Sequence, residues 1–498
     1  GVDLREMIMP DKEIQTDVPD LKDAVTKEMG SDFIMGVSIL NSELSDDLLM
    51  QLVTKHFNAV TLGNELKPDA MFGYSKTCPG TETASINGQE IQVPRLDYSR
   101  AEKTLDAIYD WNQANPEDFI KIRGHVLVWH SQTPEWFFHE DYDESKPYVS
   151  KDTMNLRLEW YIKTMAEHFT GSGSKYKDMF YGWDVVNEAV SDSTGTYRSD
   201  SENSSWWAVY HSNEFILNAF TYANKYMPAS VELYYNDYNE WFSSKRNGIV
   251  QLLKDVKAKD GARIDGMGMQ GHYQTSDTPT VDEFETAVKA YYDVVGQVQI
   301  TELDFAASAS YDGTSATQQA EYERQAKRYQ DIYNSVRRLK KDGYIVRNIT
   351  IWGVIDKNSW LQTSSSVGGG TDGSRKQCPL LFDDDYQVKP SYWAFVNVES
   401  LKPVIRKLTV VHSLKGSFDN GEKQTYTHNG TTVSFVPIWN EKGISVQVNV
   451  ADAVKDAEDK VTLYLTNADG SIISAECLRA NAKETDGGYT AVVSRELD

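Results

Sequence analysis

Between about Asp20 and Leu401, short apolar runs alternate with segments in which apolar residues recur every three or four positions. Apolar runs bounded by polar residues predict strands, and recurrence near 3.6 predicts amphipathic helix, because side chains return to one face with those periods. Candidate strands are 33–39, 59–62, 119–128, 179–186, 231–235, 266–270, 298–301 and 345–354. Between them, Ala101, Leu105, Ile108 and Trp111 share one helical face, as do Met154, Leu158, Tyr161 and Met165, and Tyr322, Ala326, Tyr329, Tyr333 and Val336. Asn115-Pro116 stops the first of these helices. Eight strands alternating with helices predict an α/β protein, a (β/α)8 TIM barrel that loop insertions enlarge beyond its usual size of about 250 residues. A doubly wound sheet is the alternative, but it carries a Gly-rich phosphate turn after its first strand. Ile34 to Asn41 runs on without one. The run Gly368-Gly369-Gly370 lacks the ending of a phosphate loop and is read as a flexible loop at the barrel mouth.

Past about Pro403 the texture changes. Alternating runs at 406–411, 432–438, 444–450, 461–465 and 489–493 are separated by turn-rich spacers such as Asp419-Asn420-Gly421 and Asn467-Ala468-Asp469-Gly470. They predict a smaller, β-sandwich-like module over 403–498. Residues 1–20 are polar with two prolines and read as the remnant of a linker, which leaves 21–402 for the barrel. The chain opens at Gly1 with neither Met nor an apolar leader, as a trimmed or processed chain would.

Composition narrows the partners. Fifty Lys and Arg against 74 Asp and Glu give a net charge of −24, which argues against nucleic acid and against an anionic membrane surface. No window approaches the roughly 18 apolar residues of a membrane span. Cys78, Cys378 and Cys477 lie far apart; they read as three free thiols, with a single Cys78–Cys378 bridge the alternative. The 12 Trp, 28 Tyr and 17 Phe often sit in polar stretches such as Trp129-His130-Ser131-Gln132. Rings beside hydrogen-bonding groups suit a sugar, with its apolar C–H faces and belt of hydroxyls. Ordinary packing accounts for the rings equally well.

In a (β/α)8 barrel, side chains at the C-terminal ends of strands form the active site. Two strands here run into glutamate: Tyr181-Gly182-Trp183-Asp184-Val185-Val186-Asn187-Glu188, and Val298-Gln299-Ile300-Thr301-Glu302-Leu303-Asp304. A lone acid after an apolar strand is costly to bury without a partner. Two on strands of matching character point to a paired-carboxylate site.

These stretches resemble the acid/base and nucleophile motifs of the glycoside hydrolase family 10 endo-β-1,4-xylanases. The resemblance continues through Asn64-Glu65-Leu66-Lys67-Pro68, Arg123-Gly124-His125-Val126-Leu127-Val128-Trp129-His130-Ser131-Gln132, Asn236-Asp237-Tyr238-Asn239, Gln270-Gly271-His272 and Ile351-Trp352-Gly353, with Trp360 following, all in the family's order. It implies that Glu302 is the nucleophile and Glu188 the general acid and later base, with carboxyl groups about 5 to 5.5 Å apart and retained anomeric configuration. While Glu302 is anionic, its charge is expected to keep Glu188 protonated. His272 is expected to hydrogen-bond the nucleophile, Asp304 to support it, and Asn187 to contact the sugar 2-hydroxyl. Asn64, Lys67, His125, Trp129, Gln132 and Gln270 are expected to bind substrate, Trp352 and Trp360 to cover the ring at the cleavage point, and Tyr238 to lie toward the leaving group.

The resemblance thus implies an endo-acting hydrolase of xylan that needs no cofactor and has no nucleic-acid or membrane partner, a monomer that is secreted or held at the cell surface. One departure stands out: many family members carry an acid where this chain has Gly63. Glu65, in an extended segment, would face away from Asn64 and is not expected to replace it. His125, His130 and His139 lack metal-ligand spacing, so no catalytic metal is expected. The many aspartates leave room for a structural calcium in a loop or in the C-terminal module. That module resembles the front part of a family 9 carbohydrate-binding module. Trp439 is read as a mid-strand core residue, and the chain ends directly after a strand, so weak or no sugar binding is expected there.

Overall fold

Eight strands, each followed by a helix, make up the larger part of the chain. In order they are β1 (Ile34–Ile39), β2 (Ala59–Leu62), β3 (Lys121–Trp129), β4 (Phe180–Asn187), β5 (Glu232–Asp237), β6 (Gly266–Met269), β7 (Val298–Ala306) and β8 (Val346–Ile351). The helices after them are α1 (Asp47–His56), α2 (Ser99–Ala114), α3 (Lys151–Thr170), α4 (Glu214–Tyr226), α5 (Ser243–Lys257), α6 (Val281–Val295), α7 (Ser315–Lys341) and α8 (Pro390–Val396). Neighbouring strands pair in parallel, and β8 pairs with both β7 and β1, so the sheet closes into a (β/α)8 barrel. Every residue of β1, β2 and β7 is buried, since helices cover one face and barrel contents the other; β7 still alternates, its Gln299 and Thr301 bonding Arg123 and Asn236 in the interior.

The computed structural model describes residues 13–364, 376–396, 409–410, 414–415, 417–419, 421, 423–428, 430–467 and 469–496. They fall into two compact units, one spanning Ile14–Lys402 and the other taking in the chain from Pro403 onward.

Several boundaries differ from expectation. Ile14 and Val18, in the stretch read as linker, pack against the barrel core, and Pro19 O accepts the Tyr392 hydroxyl. Strand β7 runs past Thr301 to Ala306, because His272–Gln274 pairs with its last three residues, setting His272 opposite Asp304. The hairpin of Thr81–Ile86 and Gln89–Pro94 has no counterpart in the sequence reading. Its strands are mostly exposed, but Ile86 and Val93 are buried in the barrel core with Ala84 and Ile91 packed against it, and the short alternations Ala84-Ser85-Ile86 and Ile91-Gln92-Val93 around Asn87-Gly88 were a signal for it. The three cysteines are free, Cys378 buried and Cys78 and Cys477 partly so. Gly368, Gly369 and Gly370 lie outside the described residues.

The barrel interior is polar at its centre. Arg123 on β3 bonds Asp184 on β4, gives Nε to Gln299 at 3.1 Å and lies over the Tyr234 ring. Gly268 on β6 leaves space just above: a Cβ there would stand 2.3 Å from Asn236 Oδ1, so only glycine lets that amide reach across the barrel.

In the C-terminal unit, Thr431–Asn440, Gly443–Ala451 and Gly488–Glu496 form the antiparallel centre of a six-stranded sheet. Lys460–Thr466 and Ile472–Leu478 form a second, two-stranded sheet. Val461 joins Val433, Val446, Val448, Tyr489, Ala491 and Val493 in one small core, which gives the sandwich-like layering. Of the run expected at 406–411, only Thr409–Val410 is described, as a strand. Trp439 corrects the reading of a core residue: it stands at the end of its strand beside the hairpin turn and is 36% exposed.

Candidate active site

The C-terminal ends of the barrel strands surround a cleft of about 550 Å³. Asn64 and Lys67 enter it from the turn after β2, His125 and Trp129 from β3 with Gln132 just beyond, and Asn187 and Glu188 from the end of β4. Tyr238 comes from behind β5, Gln270 and His272 from behind β6, Glu302 from β7, and Trp352 and Trp360 from behind β8. Asp304 alone of the expected residues does not line the cleft. It lies behind His272 and accepts the Trp360 indole N–H at 2.8 Å.

The surroundings push the two glutamates in opposite directions. His272 bridges Glu302 Oε1, 3.0 Å from its Nε2, and Asp304 Oδ1, 2.8 Å from its Nδ1. Burial alone would lower the pKa of His272, but the charge and hydrogen bond of Asp304, joined by Glu302, push it up to about 10. His272 is therefore an imidazolium that donates from both nitrogens. For Glu302, burial works to raise the pKa. It is outweighed by the hydrogen bond from His272, the charges of His125 and His272, and the Asn236 amide, which donates to Oε2 at 2.9 Å, so the carboxyl is held at about 2. Glu302 is an anion.

Glu188 has no such cation against it. Burial first, and then the buried charge of Asp237, raise its pKa; the Gln270 amide, donating to Oε2 at 2.8 Å, opposes them, and Glu302 adds a smaller push upward. The expectation that Glu302 keeps Glu188 protonated thus accounts for only part of the effect, because burial and Asp237 act more strongly. The Glu188 backbone is in the left-handed region, φ 57°, which costs about 1–2 kcal/mol for a residue with a side chain. Three contacts hold it there. Its N–H donates to Asn236 O at 2.9 Å, its carbonyl accepts Arg198 Nε at 2.9 Å, and the next N–H, of Ala189, donates to the Tyr235 hydroxyl at 2.9 Å.

One amide ties the two carboxylates into a single network. Asn187 Oδ1 accepts from Gln270 and from Asn236, both at 3.1 Å. With its oxygen engaged, Asn187 turns Nδ2 toward Glu188 at 3.3 Å, placing an N–H donor beside that acid. Rings pack on the histidines beside Glu302: Trp360 lies 4.8 Å from the His272 ring, and Trp352 5.7 Å from His125. Along the opposite wall, Lys67 donates to Asn64 and Gln132, both at 3.0 Å, and its ammonium stands 5.0 Å from the Trp129 ring centroid.

Residues 63–67 form a turn, not a continued strand. Glu65 stays out of the cleft for a reason other than strand alternation: its carboxylate accepts the N–H of Asn41 and of Asn64. The space an acid at 63 would use is partly filled by Leu40, whose Cδ2 stands 2.8 Å from where a Cβ on Gly63 would be. Glu43, from the turn after β1, lines the cleft with Leu40 and accepts Asn358 at 3.0 Å; the sequence reading passed over it. Of the three clustered histidines, His125 bonds Asp184 at 2.8 Å and His139 bonds Glu135 at 2.9 Å. His130 lies behind Trp129, where burial lowers its pKa to about 3.

Fold and cleft together define a (β/α)8 barrel with a two-carboxylate site at the C-terminal ends of its strands. The chain belongs to glycosyl hydrolase family 10, whose model matches residues 22–398. Among curated relatives, endo-1,4-beta-xylanase Y of Acetivibrio thermocellus is 33% identical over 391 residues, covering 75% of this chain and 32% of the relative. The chain therefore spans about a third of the length of the curated relatives it first matches. Among solved structures, an endo-1,4-beta-D-xylanase 10B from Clostridium thermocellum complexed with xylohexaose matches with TM-score 0.62 and 31% identity, over 76% of this chain and 68% of the other. An intracellular xylanase from Thermoanaerobacterium saccharolyticum matches with TM-score 0.59 and 31% identity, over 77% of this chain and all of the other.

Proposed function

We propose that the chain is an endo-β-1,4-xylanase that cleaves internal bonds of xylan by double displacement with retention. The observation that carries this reading is the pair of buried glutamates lining one cleft, whose surroundings push Glu302 toward the anion and Glu188 toward the protonated acid. Anionic Glu302 attacks the anomeric carbon and forms a glycosyl-enzyme ester, while protonated Glu188 gives its proton to the departing glycosidic oxygen. Esterification removes the Glu302 charge, and Glu188, now a carboxylate, takes a proton from water as that water attacks the same carbon. Asn187 Nδ2, aimed by the two amides that occupy its oxygen, donates to the sugar 2-hydroxyl, a contact that tightens as the ring flattens toward an oxocarbenium ion.

Lys67, Asn64, His125, Trp129 and Gln132 bind the non-reducing side, Gln270 orients the acid, and Tyr238 faces the leaving group. Trp352 and Trp360 cover the ring being cleaved. Xylose lacks the C5 hydroxymethyl of glucose, and Trp360 with Gln132 leaves a wall where that group would project, which disfavours β-1,4-glucan. The test pairs two measurements. Reducing-sugar release from xylan should far exceed that from carboxymethylcellulose, and Glu302→Ala should abolish it. Comparable rates on the two polymers, or an unaffected Glu302→Ala variant, would overturn the reading.

The C-terminal unit is proposed to be a partial carbohydrate-binding module of family 9 type with weak or no sugar binding. Its exposed rings, Trp439 and Tyr464, belong to different sheets and make no clamp. Because xylan is a wall polymer, the enzyme is proposed to act as a monomer outside the cell or at its surface.

A further inference from the structure

Behind β5, on the side away from the cleft, lies a group of charges that the double-displacement reading does not use. Asp237 and Lys245 are fully buried, and Lys245 Nζ stands 3.0 Å from Asp237 Oδ1 and 2.8 Å from Asp192 Oδ1. Strand alternation turns Tyr235 and Asp237 to the same outer face, where the first turn of α5 supplies Lys245. The Tyr235 hydroxyl donates to Asp237 and at the same time accepts the Ala189 N–H. One side chain therefore links the buried ion pair to the peptide that follows Glu188. On the leaving-group side the same lysine sits 3.6 Å from the Tyr238 ring centroid, and the Tyr238 hydroxyl donates to Asp192.

We propose that the Asp237–Lys245 pair, acting through Tyr235, is a positioning device for Glu188: it holds the left-handed backbone of the acid in place and sets a buried negative charge behind its carboxyl. The proposal rests on Glu188 being the general acid. A solvated carboxylate could do neither task, since water would screen its charge and compete for the tyrosine. Lys245 makes the burial of Asp237 tolerable, because an unpaired buried carboxylate would take up a proton and lose the charge. The charged and titratable groups facing Glu188 are Glu302 and Lys67 across the cleft, Tyr238 and Arg198 beside it, and Asp237 with Lys245 behind. Asp237 is the strongest charge among those that raise the Glu188 pKa, and Lys245 works against it. Around the pair itself stand Asp192, Arg198, Glu240 and His130.

The variant Asp237→Asn keeps the shape and removes the negative charge. The free enzyme needs Glu188 protonated, so lowering its pKa moves the alkaline limb of kcat/KM on xylo-oligosaccharides to lower pH, by about one pH unit for a close charge. Tyr235→Phe keeps the charges and frees the Ala189 N–H. It should slow xylan hydrolysis about tenfold, a fraction of what a general acid supplies. The first turnover of a dinitrophenyl xylobioside, whose leaving group needs no proton, should release dinitrophenol within about twofold of the normal rate.

Glu188→Ala is the control: it must lose xylan hydrolysis while sparing the first-turnover burst of dinitrophenol, after which the glycosyl-enzyme accumulates for want of a base, and if the burst is lost, the assignment of Glu188 itself fails. If that control holds, two results would overturn the proposal. One is an alkaline limb in Asp237→Asn unchanged from the parent; the other is a Tyr235→Phe variant that slows both substrates equally, as general loosening of the fold would. Should Asp237→Asn not fold, the substrate comparison with Tyr235→Phe decides alone.

Discussion

Replacing His272 with glutamine tests the electrostatic account of Glu302, the proposed nucleophile. The site holds Glu302 at about 2 against an ordinary value of 4.5. At 1.36 kcal/mol per pH unit, that is a net preference for the anion of about 3 kcal/mol. His272 contributes the leading favourable hydrogen bond as well as a charge, while burial opposes them throughout. Without the imidazolium, burial dominates, and the Glu302 pKa should rise past 4.5. The acid limb of kcat/KM, which in the parent lies below pH 3, should then enter the range between pH 4 and 6. Activity at pH 5 should fall on the order of tenfold if the pKa reaches about 6, beyond any loss seen at pH 7. The assay is a pH profile with an activated aryl xylobioside, each enzyme being preincubated at every pH and returned to neutrality to exclude unfolding. An acid limb that coincides with the parent's would refute the reasoning. A second consequence concerns stability. The His272 proton stabilises the folded state fully below its ordinary 6.5 and ceases to do so as pH rises through about 10, so the difference in Tm between parent and variant should shrink across that window.

Three further outcomes follow from the geometry. Glu188→Gln, which cannot donate its proton, should lower kcat on xylan by roughly 10² to 10⁴-fold, measured by reducing-sugar release. Asp184→Ala leaves Arg123, 1% exposed, buried without its counter-ion; thermal unfolding should show a loss of about 3–5 kcal/mol, whereas a variant as stable as the parent would mean the pair is unimportant to the barrel. Trp439→Ala should leave retention of the full chain on insoluble xylan unchanged, and a marked loss of retention would make the C-terminal unit a binding module after all.

How much of this was legible from residues alone depended on burial. The barrel strands were readable because helices cover their outer faces and leave short, largely apolar runs, as at Ala59 to Leu62. The hairpin at 81–94 was missed because each strand buries only a short stretch, Ile86 and Val93 joining the core, although Asn87-Gly88 between two alternating triplets marked its turn. Ile14 and Val18 did carry a signal, two apolar residues one helical turn apart in a polar stretch, but a pair is too short for periodicity to weigh. Trp439 misled because an aromatic residue in an alternating run reads as core whichever end of the strand it occupies.

The site divides in the same way. Most residues lining the cleft sit in contiguous motifs at strand ends, where chain order and barrel geometry coincide, and could be named; Glu43, in the turn after β1, could not. Residues that set the state of those groups come from elsewhere. Asp237 was in view only as a neighbour of Tyr238, and Lys245 not at all, since its relation to Glu188 passes through Tyr235 and across 57 positions of chain. A motif records what touches the substrate. The charge behind Glu188 is set by which helix packs on which strand, and that becomes visible only once α5 lies against β5. It follows that two chains with identical strand-end motifs can differ in the pH at which their general acid works, according to what the first turn of this one helix places behind the strand.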